Sequence, residues 1–276
     1  MKNALALGTF DGLHKGHLAV LSMPDGYNKI ALTFETPPKA VLSGEPCSIM
    51  TFHEKAERMA ELGITAEKLK FQDVCSITAE NFLQDIKEQF NPQYISCGFN
   101  YHFGKGGLGN TELLKQFCKE NDIILNICEP VIEDGEPVSS SRIRNYLKNG
   151  ETKKANLLLS DKFTFEAKVL HGDSRGRTLG FPTINQRYPK ELIPLKFGVY
   201  KTEIEVNGKI YNGITDIGKR PTYPVDYIIS ETFIKDFSGD LYGETVKITP
   251  MEFLREEKKF NSFEELKEQI EKDIRR

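Results

Sequence analysis

The chain has 276 residues and a mass of 31.3 kDa, which is long for one compact domain and sufficient for two. Hydrophobic residues make up 39% and charged residues 28%, and the net charge is −3, so the composition excludes general disorder and lacks the basic excess typical of nucleic-acid binding. No apolar run approaches the roughly 20 residues of a membrane span. The five cysteines are scattered, without a CxxC pair. We therefore expect a reduced, cytoplasmic protein that binds neither nucleic acid nor membrane.

The first half of the chain alternates short β-branched or apolar runs with segments of helical period. Four of the apolar runs are predicted strands: Ala4–Gly8, Lys29–Phe34, Tyr94–Cys97 and Ile123–Cys128. Strands that alternate with helices in this rhythm are typical of βαβ units. This half is therefore predicted to form a parallel sheet.

Capping residues and apolar periodicity predict the helices between these strands. Thr51 and Glu54 form a capping-box pattern, and Gly63 is a stop signal. The apolar residues of this segment are expected on one buried face: Phe52, Ala56, Met59 and Leu62. A second helix is predicted after Thr78, and further helical segments cover residues 139–147 and 151–159.

The second half has a different pattern, with period-two alternation from Phe163 onward and no helical segment until the end. Asn207-Gly208 between two alternating runs predicts a hairpin, because both residues tolerate positive φ in a tight turn. After Phe253 the pattern becomes helical, with a second capping box at Ser262 and Glu265. We therefore predict two domains, at residues 1–160 and 161–276, the second being a small antiparallel β domain with a terminal helix.

The segment Gly8–His17, GTFDGLHKGH, follows the first predicted strand and begins a helix. Open α/β sheets bind ligands at such strand–helix junctions. His14 and His17 are three residues apart, so both rings can lie on one side of a helical turn. Gly16 between them lets a phosphate approach the backbone. The pattern indicates a phosphate site; zinc is the alternative, although no nearby Cys or third His completes a ligand set.

This segment resembles the HxGH signature of the nucleotidyltransferase superfamily, in the form found in the adenylyltransferase half of bacterial bifunctional riboflavin kinase/FAD synthetases. Gly98–Gly104 resembles the GxDFxFG loop of that family, and Val138–Arg144 resembles its ISSTxIR motif. The resemblance implies that His14, His17 and Arg142 stabilise charge during adenylyl transfer. The residues implied to bind ATP or its phosphates are Gly8, Phe10, Gly16, Ser139, Ser140, Ser141 and Arg144. Those implied to lie at the flavin are Asn100 and Phe103.

Independent motifs in the second half point to the other activity of the same family. Gly176–Asn185, GRTLGFPTIN, is similar to the riboflavin kinase motif GRxLGFPTAN, and further similar blocks follow in order as far as Phe253–Arg255. The resemblance implies that Gly176, Arg177 and Gly180 bind ATP phosphates. It places Thr183 and Asn185 at a Mg²⁺ ion, Glu231 as the general base and Arg220 at the flavin.

The resemblance covers nearly the whole chain and implies both a fold and a function. The expected fold is α/β plus β: an N-terminal Rossmann-like nucleotidyltransferase domain with a parallel sheet, and a C-terminal small antiparallel β-barrel of riboflavin kinase type with a terminal helix. The expected activities are phosphorylation of riboflavin to FMN by the second domain and adenylylation of FMN to FAD by the first. The partners are then riboflavin, FMN and ATP, with Mg²⁺ as cofactor.

Departures from the family pattern leave two alternatives open. The stretch Thr33–Pro38, TFETPP, stands where the family reads TFEPHP, the first helix is short, and Asp216 replaces a common Asn. One alternative is therefore a paralogue with only one active half. The other is a flavin-binding regulator without turnover, which the retained motif residues disfavour.

Overall fold

A computed structural model describes residues 2–171, 181–219 and 227–275, except for the side chain of Phe263. These residues form two compact units. The first unit consists of Met1–Ser140 and Leu158–Asp161, and the second of Ser141–Leu157 and Lys162–Arg276. Four of the predicted site residues lie outside the described residues: Gly176, Arg177, Gly180 and Arg220.

The first unit contains a five-stranded sheet in which every pair of neighbouring strands is parallel, as predicted. The strands are β1 (Lys2–Leu7), β2 (Tyr27–Phe34), β3 (Thr65–Leu69), β4 (Pro92–Gly98) and β5 (Ile124–Cys128). Their order is β3-β2-β1-β4-β5, the Rossmann-like arrangement. The four predicted strands are confirmed. The fifth, β3, was missed because this edge strand is mostly exposed and its TAEKL sequence is largely polar.

Helices cover both faces of this sheet. They are α1 (Lys15–Leu21), α2 (Pro38–Ser43), α3 (Phe52–Glu61), α4 (Phe71–Val74), α5 (Ala79–Phe90) and α6 (Thr111–Glu120), with a 3₁₀ turn at Lys105–Gly107. The alternation of β1 shows how the sheet is buried: Leu5 and Leu7 pack in one core cluster, whereas Ala4 and Ala6 pack in the other. A two-stranded ribbon, β6 (Ile132–Glu133) and β7 (Glu136–Pro137), lies after β5.

Helix α3 confirms its predicted start and corrects its predicted buried face. Thr51 accepts a hydrogen bond from the backbone N–H of Glu54, and the Glu54 side chain bonds back to the Thr51 backbone. Leu62 is wrong as a buried position, because it caps the helix and is 50% exposed. Lys55 is instead buried, with 3% of its surface exposed.

The second unit contains a closed antiparallel barrel, as the resemblance implied. Its strands are β8 (Phe165–Leu170), β9 (Thr183–Arg187), β10 (Gly198–Val206), β11 (Lys209–Gly218), β12 (Ile229–Ile234) and β13 (Thr245–Arg255), in the order β10-β11-β12-β9-β8-β13. The predicted hairpin joins β10 to β11, and Asn207 and Gly208 both have positive φ, 51° and 75°. Helices α7 (Ser140–Lys148), α8 (Thr152–Leu158) and α9 (Phe263–Arg275) complete the described elements.

A line of hydroxyl groups crosses the inside of the barrel. Thr202 and Thr215 are joined through their hydroxyls at 3.0 Å, and Thr215 and Thr232 at 2.9 Å. All three threonines are fully buried. Because side chains alternate along a strand, the neighbouring Asp216 and Glu231 point to the outer face. Among the described residues, no helix is both long and apolar enough to cross a membrane.

The C-terminal helix α9 is joined to the barrel by an ion pair. Ser262 accepts a hydrogen bond from the backbone N–H of Glu265, so the predicted N-terminal cap is present. Arg255, the last residue of β13, donates from Nε and Nη2 to Asp273 Oδ2, at 2.9 Å in each case. Asp273 is 1% exposed. The helix therefore packs through a buried charge as well as through a half-buried apolar stripe.

Candidate active sites

The two-histidine segment follows β1, whose neighbours in the sheet are β2 and β4. The chain runs from β1 to β2 on one side and later returns to β4 on the other. The carboxyl end of β1 is therefore the point at which the strand order reverses. Crevices at this point are where doubly wound sheets bind nucleotides.

His14 and His17 form one stacked pair at this position. Their ring centroids are 3.6 Å apart and the ring planes differ by 15°. His14 caps α1, and its Nδ1 accepts a hydrogen bond of 3.3 Å from the backbone N–H of His17. A neutral His14 ring therefore carries its proton on Nε2. The predicted arrangement of both rings on one side of the turn is confirmed.

The structure shows why residue 16 is a glycine, which the sequence pattern did not reveal. A Cβ atom at this position would lie 3.2 Å from Cε1 and Nδ1 of His14 and 3.7 Å from the carbonyl oxygen of Val138. A larger side chain would therefore press on the His14 ring. The glycine preserves the stacked histidine pair, and its role in phosphate approach stays a prediction.

The loop before the histidines has a strained backbone. Phe10 and Leu13 have positive φ values of 49° and 40°, although neither is glycine, and both side chains are buried. A Cβ atom at Gly8 would lie 2.9 Å from the Phe10 ring. Conformations of this kind persist only when surrounding contacts hold them, and they occur often at functional sites.

Polar contacts hold this loop from two directions. Asp11, which is 2% exposed, accepts a hydrogen bond of 2.8 Å on Oδ1 from the backbone N–H of Ile49. Its backbone carbonyl accepts one of 3.0 Å from the Ser140 hydroxyl. The predicted ATP-binding Ser140 thus lies against the two-histidine loop, and Ser139 precedes it in the same segment.

The predicted flavin loop lies after β4. Asn100 is exposed, whereas Phe103 is 6% exposed and packs between the rings of Phe82 and Tyr101, with centroid distances of 5.6 Å to each. Phe103 therefore anchors the loop in the core. Contact of either residue with a flavin stays a prediction.

Ser141, Arg142 and Arg144 belong to the second unit. Arg142 donates from Nε to the hydroxyl of Tyr146 at 3.2 Å, one turn further along α7. Arg144 is 8% exposed, which is unusual for an arginine on a helix surface. Their predicted roles at ATP are not tested by these contacts.

The second candidate site is a row of polar residues on the outer face of the barrel. Asn185 of β9 is directly opposite Glu231 of β12, and Glu231 is directly opposite Asp216 of β11. Side chains at opposed positions have Cβ atoms about 4.5–5.5 Å apart, so the three groups are neighbours. Thr183 lies two residues before Asn185, on the same face of β9 and opposite Phe233. The structure therefore brings the predicted base and the predicted metal ligands together.

Carboxylates and an arginine act on this row. Burial raises the pKa of Asp216 to about 6, with further contributions from the carboxylates of Glu257 and Glu231, while Arg255 opposes the shift. Burial, and then Glu231, also raise the pKa of Glu257. Glu257 lies over Gly218, because a Cβ atom at Gly218 would collide with its carboxylate.

Oxygen ligands at Thr183 and Asn185 suit Mg²⁺, which prefers hydroxyl, carbonyl and carboxylate oxygens and binds largely through substrate phosphates. The described residues contain no group of three or more His, Cys, Asp or Glu side chains placed to hold a metal ion. A hydroxyl and an amide oxygen leave most positions of an octahedral Mg²⁺ ion to other ligands, so this donor set fits a metal that is bound together with nucleotide phosphates.

Sequence reasoning did not assign a site role to several charged residues near the two sites: Lys55, Asp216, Arg255, Glu257 and Asp273. Asp216 is visible in the sequence only as a replacement for a common Asn, and Arg255 ends the last block that resembles the riboflavin kinase family. The sequence suggests surface positions on helices or loops for the other three, Lys55, Glu257 and Asp273. Only the folded structure buries these residues or brings them near other charges.

Two families match the chain. The family described as FAD synthetase matches residues 1–142, and the family described as riboflavin kinase matches residues 159–276. The bifunctional riboflavin kinase/FMN adenylyltransferase of Bacillus subtilis is 35% identical, over 99% of this chain and 90% of the relative. The protein of the same description from Haemophilus influenzae is 32% identical, over 98% and 92%. A crystal structure from Streptococcus pneumoniae, described as a macrolide-efflux protein, is 30% identical with a TM-score of 0.88, over 99% of this chain and 93% of that one.

Proposed function

The chain belongs to the bifunctional riboflavin kinase/FMN adenylyltransferase family, and we propose that its second unit makes FMN from riboflavin and its first unit makes FAD from FMN. It is a transferase of flavin cofactor biosynthesis. The main support for two active sites is that one chain contains two groups of polar residues. These are the stacked histidines after β1 and the Asn185–Glu231 pair on the barrel. No observation on the described residues favours the efflux activity by which the pneumococcal structure is described.

In the kinase reaction, Glu231 acts as general base. Its carboxylate accepts the proton of the riboflavin 5′-hydroxyl while that oxygen attacks the γ-phosphorus of ATP, and ADP leaves. Phosphoryl transfer requires mainly positioning and charge neutralisation, so a single carboxylate suffices as the base. The position of Glu231 beside Asn185 supports this assignment.

Thr183 and Asn185 would hold Mg²⁺ together with the ATP phosphates. The ion, when bound, neutralises charge on the transferring phosphoryl group. The contribution of the chain is to keep a hydroxyl and an amide oxygen on one face of β9, next to the base. Gly176, Arg177 and Gly180 stay predicted phosphate ligands, and Arg220 a predicted flavin ligand.

In the adenylyltransferase reaction, a phosphate oxygen of FMN attacks the α-phosphorus of ATP and pyrophosphate leaves. The nucleophile is already ionised, so no strong base is required. His14 and His17 instead donate hydrogen bonds to the oxygens on which negative charge develops. Arg142 stays a predicted stabiliser of the same developing charge. Ser139, Ser140, Ser141 and Arg144 stay predicted partners of ATP phosphates, and Asn100 and Phe103 of the flavin. We propose the cytoplasm as the place of both reactions.

A chromatographic product assay tests the proposal. One reaction contains riboflavin and excess Mg-ATP, and a parallel reaction contains FMN and excess Mg-ATP. FAD in both is the expected result. FMN that accumulates without FAD would assign the chain to the one-active-half alternative, as would FAD from FMN with no product from riboflavin. No product in either reaction would favour the flavin-binding regulator.

A further inference from the structure

Lys55 is a cation in the interior of the first unit. It lies on α3 and is 3% exposed. Lysine is almost never fully buried unless its ammonium group is paired. A buried lysine beside the two-histidine loop therefore requires a specific explanation.

The ammonium group of Lys55 uses all three of its protons on atoms of two site segments. Nζ donates to the carbonyl oxygen of Thr9 at 3.1 Å, to the hydroxyl of Thr33 at 3.0 Å and to the carbonyl oxygen of Phe34 at 2.8 Å. The Thr33 hydroxyl itself donates to the Thr9 carbonyl at 2.7 Å. The loop after β1 and the end of β2 are thus tied together through one charged group.

The charge itself is necessary for this arrangement. A protonated lysine has three donors and satisfies three acceptors, whereas a neutral amine has only two N–H bonds and presents a lone pair to the third. Asp11, in the same loop, is the charged group that favours the protonated form, and burial opposes it. The result is a pKa lowered to about 8.

We propose that Lys55 is a positioning residue for adenylyl transfer, because its ammonium group holds the loop that contains the strained residues Phe10 and Leu13 against the carboxyl end of β2. The inference rests on the proposed function of the first unit. The loop presents the histidine pair, and β2 leads into the TFETPP segment. Lys55 therefore sets the distance between the segment that carries the histidines and the segment that follows β2, without touching a reacting atom.

The proposal predicts an alkaline limit on FAD formation. As the pH rises above about 8, Lys55 loses its proton and one of its three hydrogen bonds. This loss does not unfold the protein through Lys55, because the pKa of this lysine is lower in the folded chain than the usual 10.5. The unfolded chain then binds more protons between about 8 and 10.5, so this group favours the folded state increasingly over that range. Activity should therefore fall although the titration of Lys55 itself does not lower the thermal midpoint of unfolding.

The experiment compares Lys55→Met, Lys55→Arg and the unmodified full chain. Arg58→Met is the matched control, since Arg58 is a partly exposed cation one turn further along the same helix. FAD formation from FMN is measured from pH 6.5 to 10, and the thermal midpoint of unfolding of each variant reports on folding. FMN formation from riboflavin by the same preparation is the reference activity of the second unit. Lys55→Met is expected to lower kcat/KM for FAD formation about 10- to 100-fold. FMN formation should change by less than about twofold.

Lys55→Arg provides the second measurement, because arginine stays protonated throughout this pH range. It should restore a part of the activity and move the alkaline limit upward. Equal loss of both activities in Lys55→Met, or an unchanged alkaline limit in Lys55→Arg, would overturn the proposal. An unmodified chain that makes FMN but no FAD would instead refute the proposed function of the first unit.

Discussion

Asp216 and Glu231 face each other across the antiparallel strands β11 and β12, on the outer side of the barrel. Oδ1 of Asp216 is buried, and no residue within 2–171, 181–219 or 227–275 forms a hydrogen bond with it. Two carboxyl groups at opposed positions repel each other when both are ionised. A carboxyl group therefore stands beside the proposed base at a position where the family pattern has a neutral amide.

Asp216→Asn should stabilise the ligand-free chain near neutral pH. The pKa of Asp216 is about 6 in the folded chain, whereas an ordinary aspartate has a pKa of 3.8. Between these values the folded state binds more protons than the unfolded state, so the folded state loses stability as the pH rises through this range. The penalty is complete above about pH 6 and is on the order of 3 kcal/mol. Calorimetry should show a higher unfolding midpoint for the variant at pH 7.5, with a gain that shrinks toward pH 4.

The exposed Asp240 provides the control for this measurement, since Asp240→Asn also removes one carboxylate from the second unit. Its midpoint should change little at either pH. A gain for Asp216→Asn that is the same at pH 4 and pH 7.5 would contradict the assigned cause.

Glu231→Gln should abolish the kinase reaction selectively. The amide keeps the size of the side chain but accepts no proton, so FMN formation from riboflavin should fall about 10²- to 10⁴-fold. FAD formation from added FMN should stay within about twofold. Glu203→Gln is the control, because Glu203 is an outward-facing carboxylate on β10, paired with Lys162. Undiminished FMN formation by Glu231→Gln would exclude this residue as the base.

His17→Ala should affect the other half of the chain. Loss of a donor to the developing charge should lower FAD formation from FMN about 10²- to 10³-fold, with riboflavin phosphorylation unchanged. His53→Ala removes an exposed histidine of the same unit, 82% accessible and paired with Glu57, and should leave both rates unchanged. Normal FAD formation by His17→Ala would rule out its role at the phosphates.

Asp273→Ala should destabilise the second unit. It removes the buried carboxylate to which Arg255, with 19% side-chain exposure, donates two hydrogen bonds. Breaking a buried pair in this way costs about 3 kcal/mol. Glu268→Ala removes an exposed carboxylate from the same helix, 4.0 Å from Lys272, and should cost less than about 0.5 kcal/mol. Denaturant unfolding of both variants checks the difference, and similar losses would argue against the ion pair as the cause.

Local patterns were sufficient for much of the architecture. The alternation of apolar strands and capped helices predicted the parallel sheet, and Asn207-Gly208 predicted the β10–β11 hairpin. These features are encoded by neighbours in sequence, so a single chain reveals them. The edge strand β3 was not predicted, because its exposed side chains are largely polar and lack the apolar pattern of a buried strand.

One candidate site is visible in the sequence, whereas the arrangement of the other depends on the fold. The pairing of His14 with His17 depends on a three-residue spacing and a helix start, and both are visible in the sequence. The neighbourhood of Glu231 depends on the register of three strands from separate parts of the chain. No local pattern determines that register, because it follows from closure of the barrel.

The order of the residues shows which chemical groups the chain carries and which short segments present them. Which of its charges are buried follows from the packing of the folded chain. Lys55 on α3 and Asp273 on α9 look like surface residues of amphipathic helices, yet both are almost fully enclosed. The physical reason is that desolvation and long-range partners depend on what packs against a helix face, and the periodicity of the helix itself contains no information about those partners.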